Sequence, residues 1–206
     1  MKITYAIGVC TEQLELQSLL NFLLCVKDPD DDINVLVDTT KATPNIWSVL
    51  KASGVTVCMR AFDNNFSAHR NFHIEQCKGD YIFMIDADEI PQENLIRTIK
   101  NTIRETGADL IHVPRMNLCP GYTQTWLQNH KFQVNEVGWI NWPDYQGRIF
   151  KRDPTIKWGK NLHEKIEGAK KSIGLPSSPN NGLWHVKTIE KQDYQGKFYD
   201  SLLPPC

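Results

Sequence analysis

The sequence predicts an α/β fold, a mostly parallel sheet with helices on both faces in a single domain, and three observations carry that expectation. Strand-type and helix-type apolar patterns alternate from residue 2 to residue 113, with short connections between them. Two of the strand-type runs finish at an acid, one at Asp38 and another at Asp86. The most apolar run, Ile82-Phe83-Met84-Ile85, ends abruptly in Asp86-Ala87-Asp88-Glu89 and then Ile90-Pro91. A buried strand delivers carboxylates to a site in this way.

Each element follows in order. Ile3, Tyr5, Ile7 and Val9 alternate as in a strand over 2–10. Thr11 is placed to cap the next helix, on which Leu16, Leu19, Leu20, Leu23 and Leu24 lie at helical spacing. The acidic turn from Pro29 to Asp32 leads into a second strand, Ile33 to Val37, which ends in Asp38. A short helix over 46–52 precedes Gly54, and Val55 to Met59 reads as a third strand. A helix over 66–77 runs up to Lys78-Gly79-Asp80, where Gly79 suits a helix C-cap. Beyond the acidic strand, Leu95, Ile96, Ile99 and Ile103 form a helical stripe that stops at Gly107, and Asp109 to Val113 reads as another strand. From Arg115 to about Gly147 the pattern dissolves into Pro, Gly, Asn and Trp, a stretch long enough for functional loops.

Composition narrows the function classes. A chain of 206 residues is long enough to bury a sizeable core, and 41% hydrophobic with 23% charged residues excludes a largely disordered chain. The formal charge of -1 leaves no global basic field for nucleic acid. No apolar run approaches the roughly 20 residues of a membrane span, and the N-terminus lacks the pattern of a signal peptide. The six cysteines form no Cys-x-x-Cys pair, and Cys10, Cys25 and Cys58 sit inside apolar patterns, as small core residues of a reducing compartment would. The expectation is a cytoplasmic protein.

The chemistry centres on Asp86 and Asp88. Alternation along an extended strand would put both on one side, and like charges that close call for a cation; a hard divalent ion with oxygen ligands, Mn or Mg, is the common solution. The carboxyl edge of an open α/β sheet is where ligands bind, and a metal held by two carboxylates keeps positions open for phosphate, so the expected ligand is a nucleotide diphosphate. The alternative is an acidic turn in which Asp88 or Glu89 caps a helix that starts near Pro91.

Phe-Ser-Ala-His-Arg-Asn-Phe (66–72) followed by Lys-Gly-Asp-Tyr-Ile-Phe-Met-Ile-Asp-Ala-Asp-Glu (78–89) resembles the core signature of family 2 glycosyltransferases with the GT-A fold. Gly-Arg-Ile-Phe-Lys-Arg (147–152), Ile-Lys-Trp (156–158) and Leu-His-Glu-Lys-Ile (162–166) resemble a branch of that family with an Arg-Leu-Phe segment and a His-Glu pair. The resemblance covers roughly residues 3 to 187. It departs at Val-Asp-Thr-Thr-Lys (37–41), which stands where the family usually has Val-Asp-Asp-Gly-Ser-Thr-Asp.

The resemblance implies a GT-A type, Rossmann-like domain. Residues 1–114 form its nucleotide-sugar-binding half, 115–190 its acceptor-binding and catalytic half, and 191–206 an extension. Nucleotide contacts fall to Thr11, Glu12, Asp38, Arg70 and Asp86. Asp38 matches the acid that accepts a bond from the base, or else caps its own turn. Asp86, Asp88 and His185 are the candidate metal ligands, with His163 weaker. Glu164 is the candidate base that deprotonates an acceptor hydroxyl, its apolar neighbour Trp158 raising its basicity, and Asp144 is the runner-up. A surface pair of Glu164 with Lys160 or Lys165 is the plain alternative. Trp126, Trp139, Trp142 and Trp158 fall where the acceptor would sit. The implied reaction moves a sugar from a UDP-type donor to a hydroxyl of a glycan, lipid-linked sugar, protein or modified nucleobase, with inversion and a divalent metal. A nucleotidyltransferase, or a non-catalytic nucleotide- or sugar-binding module, stays open because one fold hosts many functions.

Overall fold

The computed structural model describes residues 1–160 and 164–202. The chain begins β1 (Ile3–Val9), α1 (Gln13–Val26), β2 (Asp32–Asp38), α2 (Pro44–Ser53), β3 (Thr56–Arg60), α3 (Phe66–Gln76) and β4 (Tyr81–Asp86). It continues β5 (Glu89–Pro91), α4 (Glu93–Thr106), β6 (Leu110–Leu118), α5 (Gln124–His130) and β7 (Ile140–Lys151). The rest is β8 (Lys157–Gly159), β9 (Lys165–Glu167), β10 (Ser172–Gly174), β11 (Leu183–Val186) and α6 (Ile189–Leu202).

A nine-stranded sheet runs β3-β2-β1-β4-β7-β6-β11-β5, with β10 beside β6, and β8 pairs β9 apart from it. Among the described residues five of its eight pairings are parallel and three antiparallel. The mostly parallel α/β sheet expected from the sequence is the one observed.

Strand alternation sorts two cores. Ile3, Tyr5, Ile7 and Val9 of β1 and Tyr81, Phe83 and Ile85 of β4 meet the leucines of α1 and Leu95, Ile96, Ile99 and Ile103 of α4. Ala6, Ile82 and Met84 point to the other face and pack with Phe150, Ile156 and Trp158. Asp86 continues the second series. It therefore leaves the sheet on the face occupied by α3, which packs against β8.

Several local expectations are corrected. Thr11 caps nothing: the N-cap of α1 is Glu12, whose Oε2 accepts the Cys10 and Thr11 amides at 3.1 and 2.9 Å. Gly79 is not a C-cap. The helix closes on Cys77 in extended conformation, and a Cβ on Gly79 would stand 2.6 Å from the Thr4 nitrogen. Gly79 is thus required by close backbone approach. The capping alternative for Asp88 or Glu89 also fails, since α4 starts at Glu93 behind Gln92 and Pro91 belongs to β5. Cys25 is exposed rather than part of the core, and Cys10 and Cys58 are half-buried.

The segment from 115 to 147 is more regular than its sequence suggests. β6 extends to Leu118, and β7 carries twelve residues. Pro114, Pro143 behind a cis peptide, and register shifts at Ile111/His112 and Arg115/Asn117 interrupt the period-2 pattern that would have announced them. No described helix is long and apolar enough to cross a membrane.

Candidate active site

The carboxyl ends of β1, β2 and β4 open on a cleft of about 570 Å³, roofed by α6. Of the sequence candidates, Thr11, Glu12, Asp38, Arg70, Asp86 and Asp88 line it. β4 ends at Asp86 and Asp88 lies in the turn beyond, so the two carboxylates are not neighbours along an extended strand. Basic side chains neutralise them separately.

Asp86 accepts from Arg148 Nη2 at 2.7 Å and pairs with Arg70 Nη1 at 3.3 Å. Burial opposes its ionisation, but the charges of Arg148 and Arg70 outweigh that and hold its carboxyl well below the usual carboxylate range. Arg70 also donates to Glu164 Oε1 at 2.8 Å and lies 4.8 Å over the Trp158 ring. The partner of Glu164 is therefore Arg70 rather than Lys160 or Lys165, and Trp158 faces the guanidinium. Arg148 reaches on to Glu89, Glu89 to Arg115 at 3.0 Å, and Arg115 to Asp144 at 2.7 Å. Four carboxylates and three guanidiniums alternate from Glu164 to Asp144, tying β4, β5, β6 and β7 to α3.

Asp144 is saturated. It accepts from Arg115 Nε and Nη2, from Asn117 Nδ2 at 2.8 Å and from Gln146 Nε2 at 2.7 Å. Burial opposes its charge, and Arg115, Asn117 and Gln146 more than offset this, lowering its pKa. Such an acid is a weak proton acceptor.

Asp38 divides its oxygens. Oδ1 takes Thr40 N, Thr40 Oγ1 and Phe62 N at 2.9, 2.7 and 3.1 Å, which closes the turn after β2. Oδ2 accepts from the Cys10 thiol at 3.6 Å. Burial opposes its ionisation, yet these bonds lower its pKa, while burial, Asp38 and Glu12 push the Cys10 thiol up to about 12. Cys10 stays protonated and is no nucleophile.

On β11, His185 is buried and its Nδ1 lies 2.6 Å from Asn117 Oδ1. The Asn117 amide nitrogen is turned to Asp144, so Oδ1 is an acceptor and His185 carries its proton on Nδ1. Burial lowers the His185 pKa despite Asp88. Its Nε2 stands 3.6 Å from Asp88 Oδ2. Burial resists charge on Asp88, but His185, Lys187 and Lys191 hold its carboxyl far below the usual range.

A family model, "Glycosyl transferase family 2", matches residues 7–169. The chain belongs to glycosyl transferase family 2. No curated protein matches it. Among solved structures, S. aureus TarS 1-349 in complex with UDP-GlcNAc is similar with TM-score 0.63 and 14% identity, over 91% of this chain and 59% of that one. The same fragment in complex with UDP gives TM-score 0.61 at 14% identity, over 98% and 65%. A mycobacterial protein gives TM-score 0.51 at 16% identity, over 73% and 53%. This family 2 chain thus spans 59% of the first TarS structure's length, and at such identities the likeness is one of fold.

Of the tryptophans expected near an acceptor, Trp126 donates its Nε1 to Asp193 and packs at a tilt against His130, and Trp158 lies in the core. Trp139 and Trp142 stand edge to face at 4.9 Å and are joined by Trp184 at 5.9 Å. Sequence reasoning missed Glu89, Arg115, Arg148 and Asn117, whose partners in the network include residues 26, 59 and 68 positions away. It also missed Lys187 and Lys191. His163 and Cys206 lie outside the described residues.

Proposed function

We propose that this family 2 chain transfers a sugar from a uridine diphosphate donor to an acceptor hydroxyl, with inversion and with a divalent metal. The observation that carries the reading is the sheet-edge cleft, where Asp38, Arg70, Asp86 and Asp88 converge in a volume suited to a nucleotide. The UDP and UDP-GlcNAc in the TarS complexes support the uridine choice.

The donor set fits a metal. Asp88 Oδ2 and His185 Nε2 stand 3.6 Å apart and supply one oxygen and one nitrogen to a divalent ion. Asn117 fixes the tautomer that this requires. Among the described residues no three His, Cys, Asp or Glu side chains gather so as to hold a metal ion, which leaves other positions to diphosphate oxygens and water. When bound, the ion supplies positive charge against the leaving diphosphate.

The chain's own residues do the rest. Asp38 Oδ2 is the acceptor for an imide N–H of the base. Arg148 and Arg70 hold Asp86 ionised and oriented toward the ribose. Glu164, which takes one arginine bond where Asp144 takes four donor contacts, is the base that removes the acceptor proton. Trp139, Trp142 and Trp184 offer aromatic faces to an acceptor ring. The setting is cytoplasmic.

Melting temperatures with UDP, GDP and UDP-sugars, each with and without Mn²⁺, test this. A metal-dependent rise with uridine diphosphates is expected, since a ligand that binds only the native state stabilises it. The absence of any shift with every diphosphate would overturn the reading.

A further inference from the structure

The cations beside Asp86 and Asp88 differ in how firmly they are held. Arg70 and Arg148 are each shared between two carboxylates. Lys187, just before α6, donates to Gln195 Oε1 at 2.6 Å and stands 3.9 Å from Asp88. Lys191, in the first turn of α6, is spread over three carboxylates at longer range: Asp88 at 3.2 Å, Glu12 at 3.6 Å and Glu15 at 3.9 Å. All three of these acids line the cleft with Lys191.

The helix that carries Lys191 is built into the same wall. Tyr194, Gln195, Phe198 and Tyr199 line the cleft from above, Tyr199 packs on Phe66 at 5.6 Å, and Lys41 lies 5.2 Å over Phe198. On the outer side Asp193 accepts from Trp126 Nε1 at 2.9 Å and faces His130 at 3.2 Å. The roof is therefore seated with the cleft still open beneath it. A diphosphate arriving at Asp88 brings several negative charges to a point where one ammonium is already present and only loosely committed.

We propose that Lys191 is a diphosphate-binding residue of the donor site, held over Asp88, Glu12 and Glu15 by α6 until a nucleoside diphosphate reaches it. The inference rests on the donor reading above. Lys191 then exchanges a dispersed set of ion pairs for charge-assisted bonds to phosphate oxygens. The first turn of α6, outside the segment matched by the family model, becomes part of the substrate site.

Calorimetric titration of the full chain with UDP, and ligand-observed NMR titration with uridine, separate the possibilities. Lys191→Gln is expected to weaken UDP about tenfold, the size of one charged hydrogen bond, while uridine binding stays unchanged. Lys191→Arg should recover most of the UDP affinity. The dependence of UDP binding on salt should be shallower in Lys191→Gln. Equal losses for UDP and uridine would mean that Lys191 only seats the roof, and would overturn the proposal. So would unchanged UDP binding, or tighter UDP binding, which would make Lys191 a competitor of the donor. A wild-type chain that binds no UDP would instead sink the donor reading itself.

Discussion

Arg148 is the residue on which the acidic edge depends. It is buried at 3% exposure against Glu89 at 0%, and burial opposes its charge less than Asp86 and Glu89 favour it, so its pKa is raised. Arg148→Met would leave the buried Glu89 with Arg115 alone and the partly exposed Asp86 with Arg70 alone, and breaking one side of a buried ion pair costs about 3–5 kcal/mol. The urea midpoint should fall accordingly, and adding Glu89→Gln should recover part of the loss. An unchanged midpoint in the single variant would mean that water reaches Glu89. Glu164 and Asp144 allow a sharper contrast in turnover. Glu164→Gln should lower kcat by roughly 10²–10⁴, the usual contribution of a general base, with UDP still bound, whereas Asp144→Asn should act mainly through the Arg115 network and stability. If both variants turn over at the wild-type rate, neither acid is the base. Asp86 and Asp88 were legible because a strand pattern announced them. Glu89, Arg115 and Arg148 were not, because an ion pair between residues 59 apart leaves no local periodicity.

At the scale of elements, the junction of α3 and β4 is where a single glycine decides whether two strands can enter the sheet together. Gly79 donates its amide to Thr4 Oγ1 at 2.8 Å and its carbonyl accepts from Arg152 Nε at 2.8 Å. A Cβ there meets Thr4 N, Tyr81 O and Ile3 C within 2.6 to 2.9 Å, all of them backbone, whereas one on Gly8 meets nothing within 4 Å. Gly79→Ala should therefore destabilise by about 1–3 kcal/mol as an overpacked site does, and Gly8→Ala by much less, read from paired urea denaturation curves. Equal effects would show that the backbone at 79 yields freely. The sequence placed this glycine at a helix end because Lys-Gly-Asp is a common stop signal, and only the β1 partner reveals its task. The first seven elements follow the apolar periodicity closely, from β1 through β4. The antiparallel β7, inserted between β4 and β6, could not be read, because two prolines and two register shifts remove the alternation that marks a strand.

For the whole molecule, the same burial that shapes the site sets its response to acid. His73 on α3 is 2% exposed and its Nε2 meets Asn34 O and Oδ1 at 3.2 Å. Burial pushes its pKa down to about 3, the Asn34 carbonyl opposing only weakly. The folded value lies below the unfolded value of about 6.5, so the unfolded chain binds the proton first. Stability from this neutral histidine is complete above pH ~6.5 and is lost as pH falls toward the folded value. The depressed carboxylates Asp38, Asp86, Asp88 and Asp144 have the same sign but a lower window; theirs is complete above their unfolded value of about 3.9 and disappears below it. Acid unfolding should thus proceed in two slopes, a shallow one that begins near pH 6.5 and a steeper one below about pH 4. His73→Leu should flatten the first by up to ~1.4 kcal/mol per pH unit, the value of one proton, and leave the second in place, whatever its constant cost from losing the Asn34 bond. Urea denaturation at half-unit steps from pH 7.5 to 2 measures both slopes. A first slope that His73→Leu does not change would mean that other histidines with lowered values, His69, His112 or His185, titrate the unfolding equilibrium instead.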